Sequence, residues 1–525
     1  MHRFLTRFLP VSLAVLVVSC QGGQPDTPLP MLKTISVVEE VLVMPESGTA
    51  DIHFKVTDQL FRFAGVSDLV LTPTAASASI PFVISGVFPD TSAAEGCYVA
   101  TLTGTGGGGE YSVEVRLGVR EKPGAAALVL SAPFVVTNTG RRPGIYDTGL
   151  PVIRIDTQAG ASVRNKVDWV PATMNIDGAD YSCSIRGRGN STWEWPKKPY
   201  AIKLDKKAEL LGMPAHKRWV LLANFMDRTL MRNIVSMKVA ALTSLAWTPS
   251  CESVELVLNG KHQGNYLLIE QVKVDDNRVA IDSEEGFLLE LDFHYDNEIQ
   301  WMDPHGRCRQ FGSSGIPFGI KHPDSGDITP GRVSEIKNYI SEVASVLYGT
   351  GFADPDNGYR KYLDVDSFVD YWIVFEVMGN HELGNPGSVF MHKDKGGKLT
   401  AGPCWDFDWG VLSYKYTPQA RTGLINDKAI WYERLMADPW FRAKVKARFS
   451  QLLPALNEIP AFIEETEKSL KKSADINFEM WNPAGDATQN NGSIINGDEN
   501  MSFHAASVLL REIFEERLEV IRKSL

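Results

Sequence analysis

The chain has 525 residues, of which 44% are apolar and 22% charged, and it carries a formal net charge of −11. That length exceeds what a single hydrophobic core serves, so several domains of ordinary globular composition are expected. The acidic balance, without any long Lys/Arg run, excludes nucleic acid as the main partner, because phosphate-backbone binding needs a concentrated basic surface.

His2, Arg3 and Arg7 form a short basic segment ahead of an apolar run from Phe8 to Val18. The run is too short to span a bilayer as a mature helix. It ends at Val17, Val18, Ser19 and Cys20, which resembles a bacterial lipobox. Residues 1–20 therefore read as a lipoprotein signal peptide. Acylated Cys20 would anchor an exported protein to a lipid bilayer of the cell envelope, at the outer membrane or cell surface. Residues 21–33 are polar and rich in Pro and Gly, and read as a flexible tether.

Residues 34–139 read as strands. Ile52, Phe54 and Val56 alternate with polar residues, as do Tyr111, Val113, Val115 and Leu117. Short strands separated by turn signals, the run Gly106 to Gly109 among them, predict an all-β immunoglobulin-like sandwich. The segment shows no clustered His or Cys and no paired carboxylates, so it reads as a spacer or docking module.

Arg141, Arg142, Pro143 and Gly144 mark a boundary, and residues 140–525 form the second predicted domain. Strands are expected at 151–156, 219–223, 253–258 and 266–270, with Asn259-Gly260 as a hairpin turn before the last. Leu230, Ile234, Met237 and Ala241 fall on one helical face, with Asp227 placed to cap it. Phe368, Tyr371, Trp372, Phe375 and Met378 predict a second amphipathic helix. Helices dominate from Trp431, where Phe441, Val445, Phe449 and Leu452 share a face, and the last runs to about Lys523. Residues 483–500 read as an Asn/Gly-rich loop. A strand-rich half followed by a helix-rich half is an α+β arrangement, compatible with two lobes around a cleft. Cys97, Cys183, Cys251, Cys308 and Cys404 are widely spaced with no CxxC pair, which argues against a zinc site and favours buried thiols.

Three segments carry candidate chemistry. In RGRGNSTW (186–193), followed by KKPYAIKL (197–204), glycines and cations suit a phosphate ligand, although the pattern is not a Walker loop. A glycine-rich hairpin with an exposed basic face is the alternative. Glu255 and Glu270 lie in apolar strand-like runs, where a structural ion pair with Arg232, Arg186 or Arg188 is the default. In GPCWDFDWG (402–410), Asp406 and Asp408 lie two apart among aromatics and would face one side of an extended run. Two such carboxylates suit a hard cation.

Taken together, RGRGNSTW, KKPYAIKL, LLGM (210–213), WVLLANFMDRTLMRN (219–233), VELVLNG with GNYLLIEQV (254–272) and GPCWDFDWG resemble, in order and spacing, the CotH family of spore-coat-type atypical protein kinases. The lipobox and N-terminal strand module are similar to versions from Bacteroides-type bacteria. The resemblance implies a divergent two-lobed protein-kinase-like domain using ATP and Mg²⁺ to phosphorylate Ser or Thr of envelope or exported proteins.

It also implies roles. Lys203 or Lys198 would hold nucleotide phosphates, with Arg186 and Arg188 adding charge, and Glu255 or Glu270 would orient the lysine. Asp406 would bind Mg²⁺, with Asp408 second to it and Asn385 as a metal-side amide. The family often places an Asp shortly after an Asn in this region. Here Asn380 is followed by Glu382, one methylene longer, as the acceptor of the substrate proton. The alternative reading is a non-catalytic surface lipoprotein binding a protein or glycan. A metal-dependent hydrolase using Glu382, Asp406 and Asp408 fits less well, because the basic glycine-rich segment suits phosphate better than a neutral sugar.

Overall fold

A computed structural model describes the strands between Thr34 and Asn138, and residues 148–294, 297–308, 313–481, 496–498 and 500–525. The signal peptide, lipobox and tether, the 141–144 boundary and most of the 483–500 loop lie outside the described residues. The chain divides into two compact units, one holding the strands up to Asn138 and the other holding residues 140–525. Its class is mixed α+β.

The first unit contains β1 (Thr34–Val37), β2 (Val41–Met44), β3 (Thr49–Thr57), β4 (Val66–Pro73), β5 (Phe82–Pro89), β6 (Cys97–Gly104), β7 (Gly109–Val119) and β8 (Leu128–Asn138). They form two four-stranded sheets, ordered β1-β3-β6-β5 and β2-β8-β7-β4. The two alternating runs read from the sequence are β3 and β7.

The second unit begins with β9 (Val152–Thr157), β10 (Val170–Ile176), β11 (Ala179–Gly187), β12 (Tyr200–Leu210), β13 (Met213–Leu222), α1 (Arg232–Ala240), β14 (Cys251–Leu258) and β15 (Lys261–Glu270). Its strands close into a barrel in the order β10-β11-β12-β13-β15-β14-β9. Closure depends on a parallel pairing of β14 with β9, Glu255 opposite Val152, that no local pattern announces. Alternation fills the barrel: Ile153, Ile155, Ile185, Ile202, Leu204, Trp219 and Leu268 are buried together inside it. At the β14–β15 hairpin, Asn259 and Gly260 have φ of 50° and 75°, the two positive values that a type I′ turn requires. Asp227 is not itself the cap residue of α1, but its carboxylate accepts the Arg232 N–H at 2.8 Å and so satisfies the first turn.

The remainder contains β16 (Phe287–Leu291), β17 (Gln300–Cys308), β18 (Ser313–His322), α2 (Pro330–Tyr348), α3 (Val365–Val377), β19 (Val389–Lys393), β20 (Leu399–Ala401), α4 (Tyr432–Leu435), α5 (Pro439–Leu456), α6 (Ile459–Met480) and α7 (Phe503–Ser524). The five strands form a sheet ordered β17-β18-β16-β19-β20. Side-chain caps start the helices: Thr329 for α2, Asp364 for α3, Asp438 for α5 and Ser502 for α7, each accepting a first-turn N–H.

α3 differs from expectation. It is buried on every face from Ser367 to Val377, so it is a core helix rather than an amphipathic one. The apolar stripe read from the sequence was only part of its contact surface, since α1, α5, α7 and β20 all pack on it. Cys183, Cys251 and Cys404 are free thiols, as their spacing suggested. Among the described residues, no helix is long and apolar enough to cross a membrane.

The helical core is pinned by a buried cation. Arg517 of α7 is fully buried, donates to Glu376 Oε1 at 2.8 Å and to the Glu376 carbonyl at 3.0 Å, and also reaches the carbonyls of Ala420 and Gly423. Removing one partner of such a pair strands a buried charge. Arg517→Ala should therefore destabilise the protein by about 3–5 kcal/mol in denaturant unfolding. A loss below about 1 kcal/mol, the range of an exposed pair, would refute the role.

Candidate active site

Between the barrel and the five-stranded sheet of the second unit lies a cavity of about 560 Å³. Its barrel side is the turn after β11, and its other walls come from β16, the turn before β19, and the loop after β20.

The glycine-rich turn is built by sterics. A Cβ on Gly187 would lie 2.4 Å from the Trp193 ring and 2.8 Å from the Asn165 carbonyl. Gly189 has φ +86°, and a Cβ there would lie 1.9 Å from Thr192 Oγ1. The chain thus folds tightly back on itself, closed by Trp193 N–H to Asn190 and Glu194 N–H to Ser191. The N–H groups of Gly189, Asn190, Ser191 and Thr192 find no acceptor among the described residues, and all four residues line the cavity. N–H groups left unpaired at the start of a helical turn, beside a cation, suit an anion.

Arg188 projects from this turn toward Asp406 and Asp408, with its guanidinium 5.6 Å from the Trp405 ring centre. Burial weakens its hold on the proton, and the carboxylates of Asp406, Asp408 and Glu290 oppose that.

Opposite stands a crowd of carboxylates. Residues 402–408 form no regular strand, so the extended run expected there is absent, yet Asp406 and Asp408 both face the cavity. Asp406 has φ 64°, a strained backbone for a non-glycine residue. Between them Phe407 is fully buried against Phe375 and donates its N–H to Asn233 of α1 at 2.8 Å. Burial and then the neighbouring Asp406 and Asp227 push the Asp408 carboxyl up to about 8, against the pull of Arg188. Asp406 is also raised by burial, with Arg188 opposing. Glu382, in the short helical turn Glu382–Gly384, is raised well above the usual carboxylate range by burial, then by Asp406 and Asp408. Each charge makes the next harder to form, a field that a cation relieves.

Of the residues expected from the sequence, Arg188, Glu382, Asn385, Asp406 and Asp408 are brought together in this cavity. The others are not. Arg186 lies over the Trp169 ring at 4.6 Å, with Arg218 over the same ring at 5.1 Å. Lys198 donates to the Trp193 carbonyl at 2.6 Å. Lys203 is exposed, because its neighbours Ile202 and Leu204 fill the barrel and alternation turns it outward. Glu270 is held by Arg278 and by the Ser250 N–H at 2.9 Å. Glu255 faces His262 at 2.6 Å. The arginine partners expected for these two glutamates are engaged elsewhere, Arg232 by Asp227 and by Asp498 at 2.7 Å.

Lys321, Glu290 and Asp292, which the sequence did not single out, line the cavity, as does Lys197, which lies in the KKPYAIKL segment without an assigned role. Lys197 is almost fully buried, its amine held by the Asn265 carbonyl and by Asn477 at 2.8 Å, and burial pushes it down to about 7 against the pull of Glu255. Nothing in the Lys197-Lys198 pair distinguished them. Glu290 and Asp292 had a usable signal: like Asp406 and Asp408, they stand two apart in an apolar run.

A divalent cation fits these residues. Asn385 Oδ1 is buried with no hydrogen-bond partner, and Asp406 and Asp408 are carboxylates strained by one another. No three His, Cys, Asp or Glu side chains converge in ready-made metal geometry among the described residues. Two carboxylates and an amide oxygen are donors of the kind Mg²⁺ takes, since it uses one or two carboxylates and completes its shell with water and substrate phosphate.

The cavity thus belongs to an α+β protein in which a glycine turn with unpaired N–H groups and Arg188 share a cavity with a carboxylate cluster. Residues 185–520 match the family described as CotH kinase protein, and the chain belongs to that family. Membership suggests a kinase-like function with ATP-dependent phosphotransfer. No curated protein matches the chain. Among solved structures it is similar to one described as FdeC, a broadly conserved Escherichia coli adhesin, at 16% identity over 36% of this chain and 57% of that one. The TM-score of 0.15 is too low to bear on the fold.

The raised Asp408 carboxyl fixes a sign. Between about pH 4 and pH 8 the folded state binds more protons at Asp408 than the unfolded chain does, so this group lowers stability as pH rises through that window. Asp408→Asn should raise the melting temperature at pH 8 and flatten the fall. Unchanged pH dependence would show that Asp408 is not desolvated.

Proposed function

We propose that the protein is an atypical protein kinase, transferring the γ-phosphoryl group of ATP to a Ser or Thr hydroxyl of an envelope or exported protein. The observation that carries this reading is the convergence of Arg188, Glu382, Asp406 and Asp408 on one cavity beside a glycine turn with free N–H groups. On this reading the barrel and the helical part with its sheet are the two lobes of a divergent kinase fold. The two N-terminal sheets are an immunoglobulin-like module, and Cys20 is acylated.

The residues divide the work by charge. The N–H groups of Gly189 to Thr192 and the Arg188 guanidinium receive nucleotide phosphate oxygens. Asp406 and Asp408, with Asn385, would hold Mg²⁺, which when bound would supply charge neutralisation at the phosphates. Glu382 accepts the proton of the attacking hydroxyl as its oxygen bonds to phosphorus and the bond to the ADP oxygen breaks. A carboxylate raised toward neutrality is a better base than an ordinary one, provided a cation has discharged its neighbours.

A second reading, a non-catalytic module binding a protein or glycan, is favoured by the aromatic cluster of Trp195, Phe225 and Trp409 at the cavity. The two readings separate on ligand-linked stability. A ligand that binds only the folded state raises the melting temperature. ATP with Mg²⁺ should stabilise the protein, each alone should do less, and Asp406→Ala should abolish the joint effect. Arg188→Ala should weaken it and Lys203→Ala should leave it intact. No shift at millimolar ATP and Mg²⁺ would remove the kinase reading in favour of the binding module. For the anchor, cells fed labelled palmitate should label the full-length chain but not Cys20→Ser; label retained in the variant would overturn acylation at Cys20.

A further inference from the structure

Glu382 is the expected proton acceptor, yet its residue type does not by itself fix where its carboxyl stands. The turn that carries it is held from behind by buried polar contacts. Asn380 is fully buried, and its Oδ1 accepts the Glu382 N–H at 2.8 Å. The Asn380 carbonyl in turn accepts from Asn426 Nδ2 at 2.9 Å. Asn426, also fully buried, is fixed through its own N–H, which donates to Glu376 Oε2 at 3.0 Å, while the Ile425 N–H donates to Glu376 Oε1 at 2.8 Å. Glu376 is the α3 residue that Arg517 of α7 neutralises.

We propose that Asn380 and Asn426 are positioning residues for the reaction, a buried amide relay that holds the Glu382 backbone so that its side chain is delivered to the carboxylate cluster. The inference rests on the kinase reading, in which Glu382 is the base. It differs from a purely packing role in two respects. The relay ends on the backbone of the reacting residue, and its links are directional hydrogen bonds that apolar side chains of the same size do not replace. The chain also leaves α3 through Gly379 at φ +60°, and the Leu412 N–H bonds to the Met378 carbonyl at 2.9 Å. The loop that follows Asp408 is therefore tied to the same segment, and a displaced Glu382 would lose its register with both aspartates. Positional errors near one ångström at a reacting group lower rates by about 100-fold.

The experiment compares full-length wild-type protein with Asn380→Leu, Asn380→Asp and Asn426→Ala. It measures γ-phosphoryl release from ATP with Mg²⁺, the KM for ATP, melting temperature, and hydrogen exchange at the Glu382 amide. Asn380→Leu should lower kcat by about 100-fold with KM for ATP within about threefold, and should lose protection at the Glu382 amide. Asn380→Asp keeps an acceptor oxygen for that N–H and should recover most of the lost rate. Asn426→Ala should show the same split in milder form, and it decides the matter if Asn380→Leu does not fold. Wild-type kcat in Asn380→Leu, undiminished amide protection, or a loss carried by KM rather than kcat would overturn the relay while leaving the kinase reading standing. A wild-type protein that releases no phosphate from ATP and shows no joint stabilisation by ATP and Mg²⁺ would overturn both.

Discussion

The structure of the cavity depends on holding several carboxylates together away from water. Burial raises the proton affinity of Asp406, Asp408 and Glu382; Asp406 adds to the effect on Asp408, both aspartates add to the effect on Glu382, and Glu290 and Asp292 contribute at Asp406 and Glu382 respectively. Left to itself such a cluster would spread apart or protonate. It stays together because its backbone is over-determined. Phe407 is buried between the two aspartates with its N–H on Asn233, and Asn496 bridges the Gly410 N–H, the Asp408 carbonyl and the Met226 carbonyl. The left-handed conformation of Asp406 persists for the same reason: strain survives where the surroundings leave no other choice.

This arrangement explains where the buried cations went. Arg232 spans Asp227, Asp498 and the Val411 carbonyl, directly behind the loop that carries Asp408. Arg517 serves Glu376 in the helical core. Both are fully buried and both bind a carboxylate together with backbone carbonyls, the geometry in which a guanidinium with several donors outperforms an ammonium. The charges that hold the loops in place are therefore distinct from those that face the cavity. The scaffold can neutralise its own acids while the cluster in the cavity stays under-compensated.

The sequence was legible where local chemistry acts alone. The β14–β15 hairpin and the apolar face of α5 followed from turn residues and periodicity, whereas the face read for α1 did not hold: Leu230 precedes the helix, Ile234 is half-buried and Ala241 is exposed. The paired aspartates were visible as carboxylates too expensive to bury among aromatics without a purpose. What stayed hidden depends on pairing across the chain. Barrel closure rests on β9 lying parallel to β14, and α3 read as amphipathic because the elements that cover its far side lie elsewhere in the chain. Arg186, Lys198 and Lys203, unlike Arg188, fall outside the cluster in the cavity. Composition showed a concentration of charge, but alternation along β12 sent Lys203 to solvent, and Trp169 and the Trp193 carbonyl took Arg186 and Lys198.

That redistribution bears on how the proposed reaction would be driven. In a cleft where a lysine reaches the phosphates, protein and metal share the neutralisation of charge. Here the Lys197 amine is held by the Asn265 carbonyl and Asn477, with a weakened hold on its proton, and Lys321 is paired with Glu290 at 3.0 Å. Arg188 faces the cavity in the field of Asp406, Asp408 and Glu290. Asp406 and Asp408 would hold the divalent ion, and the Arg188 guanidinium would share the neutralisation of phosphate charge with it. The proposed chemistry then leans on the ion and on Arg188 rather than on a lysine.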